Sequence, residues 1–263
     1  MKITFYGYNA FILGWKNRKI AIDPGANLYF FSMRSVIPER EWDSITHLLV
    51  THGDPDHHWY TDRVAKQSSA VVVCNKTMVQ FKEGSPLMLG PRDRGLAFTT
   101  PIQNLYTLSA GETLHLDGMN ITGIKTTHGP LAFRLGPFSK TIRPGRNERV
   151  GWGAIGFQIE VAGRTFVNLG DSLLEPEAWK EIHAPDVLMI PIGGTKPRNT
   201  MNENEALNAV AAMKPGMVIP CHYNCPALFS KTFNPANDLF FKEEVEKMGS
   251  KCAILHESES VEL

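Results

Sequence analysis

Apolar, strand-like runs in this chain repeatedly end in a single His or Asp followed by a turn. Ala21-Ile22-Asp23 leads into Pro24-Gly25, and Leu49-Val50-Thr51-His52 opens onto Gly53-Asp54-Pro55. Thr126-Thr127-His128 precedes Gly129-Pro130, Phe166-Val167-Asn168-Leu169-Gly170-Asp171 ends at Ser172, and Val218-Ile219-Pro220-Cys221-His222 ends at Tyr223-Asn224. Strand termini on one edge of a packed sheet can converge although distant in sequence, so a rigid scaffold can present such residues at one point. Taken singly, each has a plainer reading: His128 as a satisfied core histidine, Asp171 as a helix N-cap ahead of Leu173-Leu174. Their recurrence in one form favours a shared site.

The densest instance is Thr51-His-Gly-Asp-Pro-Asp-His-His58, which packs His52, Asp54, Asp56, His57 and His58 behind an apolar run. Imidazole nitrogen and carboxylate oxygen suit Zn, Mn and Fe(II), so this segment reads as part of a metal site.

Strand patterns over 2–7, 11–15 and 18–22 start the chain, followed by strands at 47–50 and 70–73, helices near 39–42, 59–67 and 75–82, and Gly/Pro punctuation from 84 to 100. Strands return at 104–108, 112–116 and 119–127. After a Gly/Pro-rich loop to Gly151 come strands at 152–160, 164–169, 187–190, 217–220 and 252–255, interleaved with helices at 175–182, 202–212 and 238–247. Strands in both halves with helices beside them predict an α/β fold of two packed sheets with helices outside. One domain over residues 1–263 is expected, with no repeat or linker.

Lys plus Arg and Asp plus Glu both number 27, which removes any global field favouring nucleic acid or an anionic membrane. No apolar run approaches the ~18 residues of a membrane span. The strand-like N-terminus is unlike a signal peptide, and Cys74, Cys221, Cys225 and Cys252 show no C-x-x-C spacing. A cytoplasmic protein with reduced thiols is expected.

The order of Asp23, then His52, Asp54, Asp56 and His57, then His128, Asp171 and His222 resembles the metallo-β-lactamase superfamily. That resemblance implies a four-layer αββα sandwich of two mixed β-sheets flanked by helices. Val187-Leu-Met-Ile-Pro-Ile-Gly-Gly-Thr195, Met201-Asn-Glu-Asn-Glu-Ala206 and Ile219-Pro-Cys-His-Tyr-Asn224 are similar to the UPF-type metal-dependent hydrolases, the subgroup that includes L-ascorbate-6-phosphate lactonase. By resemblance, His52, Asp54 and His128 would hold one divalent metal, Asp56, His57 and His222 a second, and Asp171 would bridge them. A bridging hydroxide would then cleave an ester, lactone or phosphodiester, with Asp56 orienting it and accepting its proton. Asp23 would steady a ligand histidine from behind. The subgroup also implies self-association as a homo-oligomer.

Asp54 stands where the family usually has His. A harder, charged ligand tilts the site toward Mn or Fe(II), yet Zn also accepts carboxylate, and a single-metal site with His58 compensating is a third reading. His58 reads either as a surface residue or a support behind the ligands, or as a proton donor to the leaving group. Arg134, Lys140, Arg143, Arg146 and Arg149 face only Glu148 in their loop. Either that loop is simply solvated, or Arg143 and Arg146 recruit an anionic or phosphorylated small-molecule substrate. Two other functions compete: a di-iron redox protein, because flavodiiron sites carry a carboxylate at the position of Asp54, and a non-catalytic metal-binding module.

Overall fold

The computed structural model describes residues 1–27, 33–82, 85–88, 102, 104–135, 138–144, 150–194, 198–226 and 232–263, with backbone alone for 80–82, 85–88, 133–135 and 138–139. Two seven-stranded sheets dominate. The first runs, edge to edge, through Ser260–Glu262, Lys2–Gly7, Ala10–Trp15, Arg18–Ile22, His47–Val50, Val71–Asn75 and Leu105–Leu108. The second runs through Lys251–Cys252, Met217–Cys221, Val187–Pro191, Arg164–Asn168, Gly156–Val161, Met119–Ile124 and Thr113–Leu116.

Both sheets are mixed, and in the same way. Short turns such as Lys16-Asn17 and Ala162-Gly163 join antiparallel neighbours. Parallel neighbours need a longer crossover, and helices supply it. Pro55–His58 and Thr61–Ser68 lie between the parallel strands His47–Val50 and Val71–Asn75; Glu203–Met213 lies between Val187–Pro191 and Met217–Cys221. The latter helix begins with a reciprocal cap, in which Asn202 accepts from the Glu205 amide at 3.0 Å and Glu205 accepts from the Asn202 amide at 3.2 Å.

Alternation sends one face of each sheet inward. Phe11, Ile20, Ile22 and Leu49 of the first sheet pack with Ile121, Phe157, Phe166, Met189 and Ile219 of the second. Full burial of each such side chain contributes roughly 1.5–3 kcal/mol. The outer faces make two further cores, one containing Trp42, Val64 and Ala65 of the helical crossovers, the other Trp179, Leu207, Val210, Phe241 and Val245. The layers are therefore helix, sheet, sheet, helix, as expected.

Several local expectations need correction. The helix expected over 75–82 is a 3-10 turn, Lys76–Met78, capped by Asn75 accepting from the Thr77 amide at 3.0 Å, followed by a strand Val79–Lys82 paired with Ser85–Met88. Tertiary pairing outweighs the helical pattern there. The strand expected over 119–127 stops at Ile124, so His128 sits on a loop beyond it. The supposed loop after His128 contains a hairpin, Leu131–Leu135 with Phe138–Ile142.

Candidate metal centre

Strand ends from both sheets meet at one edge of the sandwich. From the first sheet, Asp23 follows Arg18–Ile22, and the motif His52 to His58 follows His47–Val50. Pro55 starts a single helical turn, Pro55–His58, on which Asp56, His57 and His58 are buried. That turn presses against the Asp23-Pro24-Gly25 loop so closely that a Cβ on Gly25 would lie 1.7 Å from the Asp56 carbonyl oxygen. Only glycine permits the approach. From the second sheet come Asp171, beyond Arg164–Asn168, and His222, directly after Met217–Cys221. Asp23 and His222 both hold left-handed backbone, each with φ of 50°. For non-glycine residues this is strained, and such strain gathers at functional sites.

Two triads result. His52, Asp54 and His128 bring ligand-capable atoms within 4.8 Å of one another, and Asp56, His57 and His222 do the same. In the first, Asp54 Oδ2 lies 3.6 Å from His52 Nε2 and 3.5 Å from His128 Nε2. In the second, Asp56 Oδ2 lies 3.5 Å from His57 Nε2 and 3.3 Å from His222 Nε2. Asp171 stands between them: Oδ2 is 3.6 Å from His128 Nε2 and 3.1 Å from His222 Nε2, while Oδ1 is 3.7 Å from His57 Nε2.

The imidazoles face the centre through Nε2 because Nδ1 is engaged elsewhere. His57 Nδ1 donates to Asp23 Oδ2 at 2.7 Å, His128 Nδ1 to the Gly129 carbonyl at 2.6 Å, and His52 Nδ1 to Thr51 Oγ1 at 3.0 Å. His222 is the exception: Asn234 Nδ2 donates to its Nδ1 at 2.8 Å, which leaves the ring proton on Nε2, 3.3 Å from Asp56 Oδ2, where a metal would have to displace it. A ring whose Nδ1 carries the proton presents a lone pair at Nε2, as ligation requires.

Electrostatics fit a cation centre. Burial would raise Asp56, yet His57 and His222 outweigh it and hold the carboxyl well below its ordinary range. Asp171 is likewise lowered against its burial by His222 and His57. Burial would lower His57, but Asp56, Asp171 and Asp23 raise it well above its usual value, whereas burial drives His52 down, helped by the charge of His57. His52 Nε2, His57 Nε2 and Asp171 Oδ1 are buried without any hydrogen-bond partner. Burying such atoms unpaired costs on the order of 1–3 kcal/mol each, a cost that coordination would remove. The donor set therefore fits divalent metal.

Of the other expected residues, Asp23 is fully buried behind His57, where it accepts from that ring and from the Thr51 amide at 2.7 Å. His58 is buried rather than at the surface: Nδ1 donates to the Asp54 carbonyl at 2.9 Å, and burial pushes the ring down to about 4. Arg143 is exposed just past the hairpin, and Arg146 lies outside the described residues. Sequence reasoning missed Gly151, whose amide donates to Asp54 Oδ1 at 2.8 Å and whose φ is +66°; a Cβ there would lie 2.4 Å from His128 Cβ. It also missed Asn234 and Thr51, which read as ordinary turn and strand residues.

Residues 2–222 match the family described as Beta-lactamase superfamily domain. A UPF0173 metal-dependent hydrolase from Nanoarchaeum equitans is 28% identical over 266 residues, spanning 100% of both chains. Igni18, a metallo hydrolase from the hyperthermophilic archaeon Ignicoccus hospitalis, superposes with a TM-score of 0.70 at 22% identity, over 99% of this chain and 97% of that one. CmlA, a diiron beta-hydroxylase from Streptomyces venezuelae, gives 0.67 at 17% identity over 100% of this chain and 54% of its own. Those two likenesses establish the shared fold.

Proposed function

Because the chain belongs to the Beta-lactamase superfamily domain family, we propose that it is a metal-dependent hydrolase with a dinuclear centre. His52, Asp54 and His128 would hold one divalent ion, and Asp56, His57 and His222 the other, with Asp171 shared between them. The observation that carries this reading is Asp171, a buried carboxylate that reaches imidazoles of both triads and whose Oδ1 accepts no hydrogen bond. A pair of such ions, when bound, supplies Lewis acidity and a water acidified toward neutrality.

The chain's own residues then have distinct tasks. Asp23 fixes the orientation of His57, and Gly151 fixes Asp54 through its amide. Asp56 orients the attacking water and takes its proton on the carboxylate. Arg143 and Arg146 are assigned to attract an anionic small molecule, and an ester, lactone or phosphodiester is the bond proposed. Asp54 adds a third carboxylate to the cluster, which supports Mn or Fe(II) as well as Zn. Free, buried cysteines at 74, 221, 225 and 252 suit a reducing compartment, supporting a cytoplasmic location. No helix among the described residues is long and apolar enough to cross a membrane.

Elemental analysis of purified protein, run beside a panel of esters, lactones and phosphodiesters, tests the reading. About two divalent ions per chain and chelator-sensitive hydrolysis are expected. A metal-free protein after growth with ample Mn, Fe and Zn would refute it. Asp54 also supports a second reading, di-iron redox chemistry of the kind named for CmlA. Iron with oxygen consumption and no hydrolysis of the panel would select that one.

A further inference from the structure

Beneath the ligands lies a fully buried polar network that the metal reading does not require. Asn9 occupies the turn between Lys2–Gly7 and Ala10–Trp15, and its side chain is completely enclosed. Asn9 Nδ2 donates to Asp23 Oδ2 at 2.6 Å and to Asn168 Oδ1 at 3.0 Å. Asn9 Oδ1 accepts from Asn168 Nδ2 at 3.0 Å and from the Cys221 thiol at 3.3 Å.

The polarity of this network is determined by chemistry. An ionised carboxylate only accepts, and Asp23 receives the Thr51 amide at 2.7 Å, the Thr51 hydroxyl at 2.6 Å, His57 Nδ1 at 2.7 Å and Asn9 Nδ2 at 2.6 Å. Three of those donors converge on Oδ2 and one reaches Oδ1. Asn9 must therefore turn its NH2 toward Asp23, which leaves its oxygen for Asn168 and Cys221.

Asp23 belongs to the first sheet, whereas Asn168 and Cys221 end strands of the second. Each partner sits directly behind a ligand. Asp23 holds His57; Asn168 Oδ1 also accepts from the Gly170 amide at 2.9 Å, the residue before Asp171; Cys221 precedes His222. The neighbouring Tyr8 carbonyl accepts from the His222 amide at 2.8 Å. Residues 8 and 9 thus touch the supports of His57, Asp171 and His222, whereas the other triad is reached only at His52 and one step further out, through the Thr51 hydroxyl that bonds Asp23 at 2.6 Å and His52 Nδ1 at 3.0 Å.

We infer that Asn9 is a positioning residue that sets the spacing between first-sheet and second-sheet ligands, and that it does so chiefly for the ion of Asp56, His57 and His222. This rests on the two-triad reading above. Loss of the amide lets Asp23 and Asn168 drift apart, which changes the distance between His57 and His222 without altering any ligand.

The test is a titration of the full-length, metal-stripped chain with cobalt(II), followed by visible absorption and calorimetry, on wild type and on Asn9→Asp. The substitution preserves shape but sets an oxygen where the donor faced Asp23. His128→Ala and His222→Ala identify which binding step belongs to which triad. In Asn9→Asp the step lost in His222→Ala should weaken by about 10–100-fold with an altered cobalt spectrum, and the step lost in His128→Ala should stay within about 3-fold. Unchanged affinities, or equal weakening of both steps, overturn the inference. Failure of the wild type to bind two ions instead sinks the dinuclear reading itself. Should Asn9→Asp not fold, as judged by circular dichroism, Asn9→Ser is read by the same criteria. Cys221→Ala, which removes only a weak thiol donor, should shift either step by less than about 3-fold.

Discussion

The strand His47–Val50 has a buried histidine at its start and another, His52, two residues past its end, and the two are treated in opposite ways. His47 Nε2 is bonded to Asp117 Oδ2 at 3.1 Å and Nδ1 lies 2.8 Å from Thr46 Oγ1, so both ring nitrogens are satisfied. His52 secures only Nδ1, and its Nε2 is buried without a partner. Both rings are equally hidden from solvent. Burial therefore says little about the role of a histidine; what separates structure from chemistry is whether the protein completes its hydrogen bonds.

The sharpest way to break this contrast is at Asp171, which His57, His128 and His222 approach within 3.7 Å and His52 within 4.8 Å. Asp171→Asn should abolish binding of both ions and lower hydrolysis by about 10³-fold or more, equivalent to roughly 4 kcal/mol. Metal content and kcat/KM check it, and a variant retaining both ions would contradict the shared role. Next comes Asp23→Asn, which leaves every ligand in place but loosens His57. Metal affinity should fall by about 10–100-fold, measured by competition with a chelating dye.

At the other end of the strand, His47→Gln should leave metal content untouched. Burial lowers the His47 ring, with the Asp117 bond opposing it. A folded-state value below the unfolded one means that the unfolded chain binds more protons, so the stability contributed by neutral His47 is full above about pH 6.5 and declines as pH falls. In metal-free protein, wild type should lose more Tm between pH 7 and pH 5 than His47→Gln does. Equal losses would show that His47 does not titrate on unfolding. The smallest effect belongs to Arg143→Ala: KM for anionic substrates should rise about 2–10-fold with kcat unchanged, as befits an exposed charge in water.

The candidate cluster was far more legible than its supports. His52, Asp54, Asp56, His57, Asp171 and His222 follow strand-like runs, where period-two patterning announces both the strand and its last residue. Asn9, Asn168 and Asn234 carry no such signal. Asn9 reads as a turn residue, and its partner Asn168 lies 159 positions away, a pairing that only the packing of two sheets creates. The error over 75–82 has a similar origin: a strand there depends on Ser85–Met88 folding back, which local propensity does not report. His128 was placed at a strand end, but Gly129 and Gly151 rather than a ladder hold it, since backbone or ring atoms occupy the space where their side chains would be.

Gly25 and Gly151 carry a practical consequence. At both, main chain presses against the neighbour of a ligand or the ligand itself, leaving no room for even a methyl group. The packing beside Asp56 and His128 is thus set by the backbone of these two glycines, which mutation cannot trim or enlarge a few atoms at a time. Redesign of the candidate site would have to proceed at positions other than these two, where a side chain can be exchanged without displacing His128 or the turn that carries Asp56.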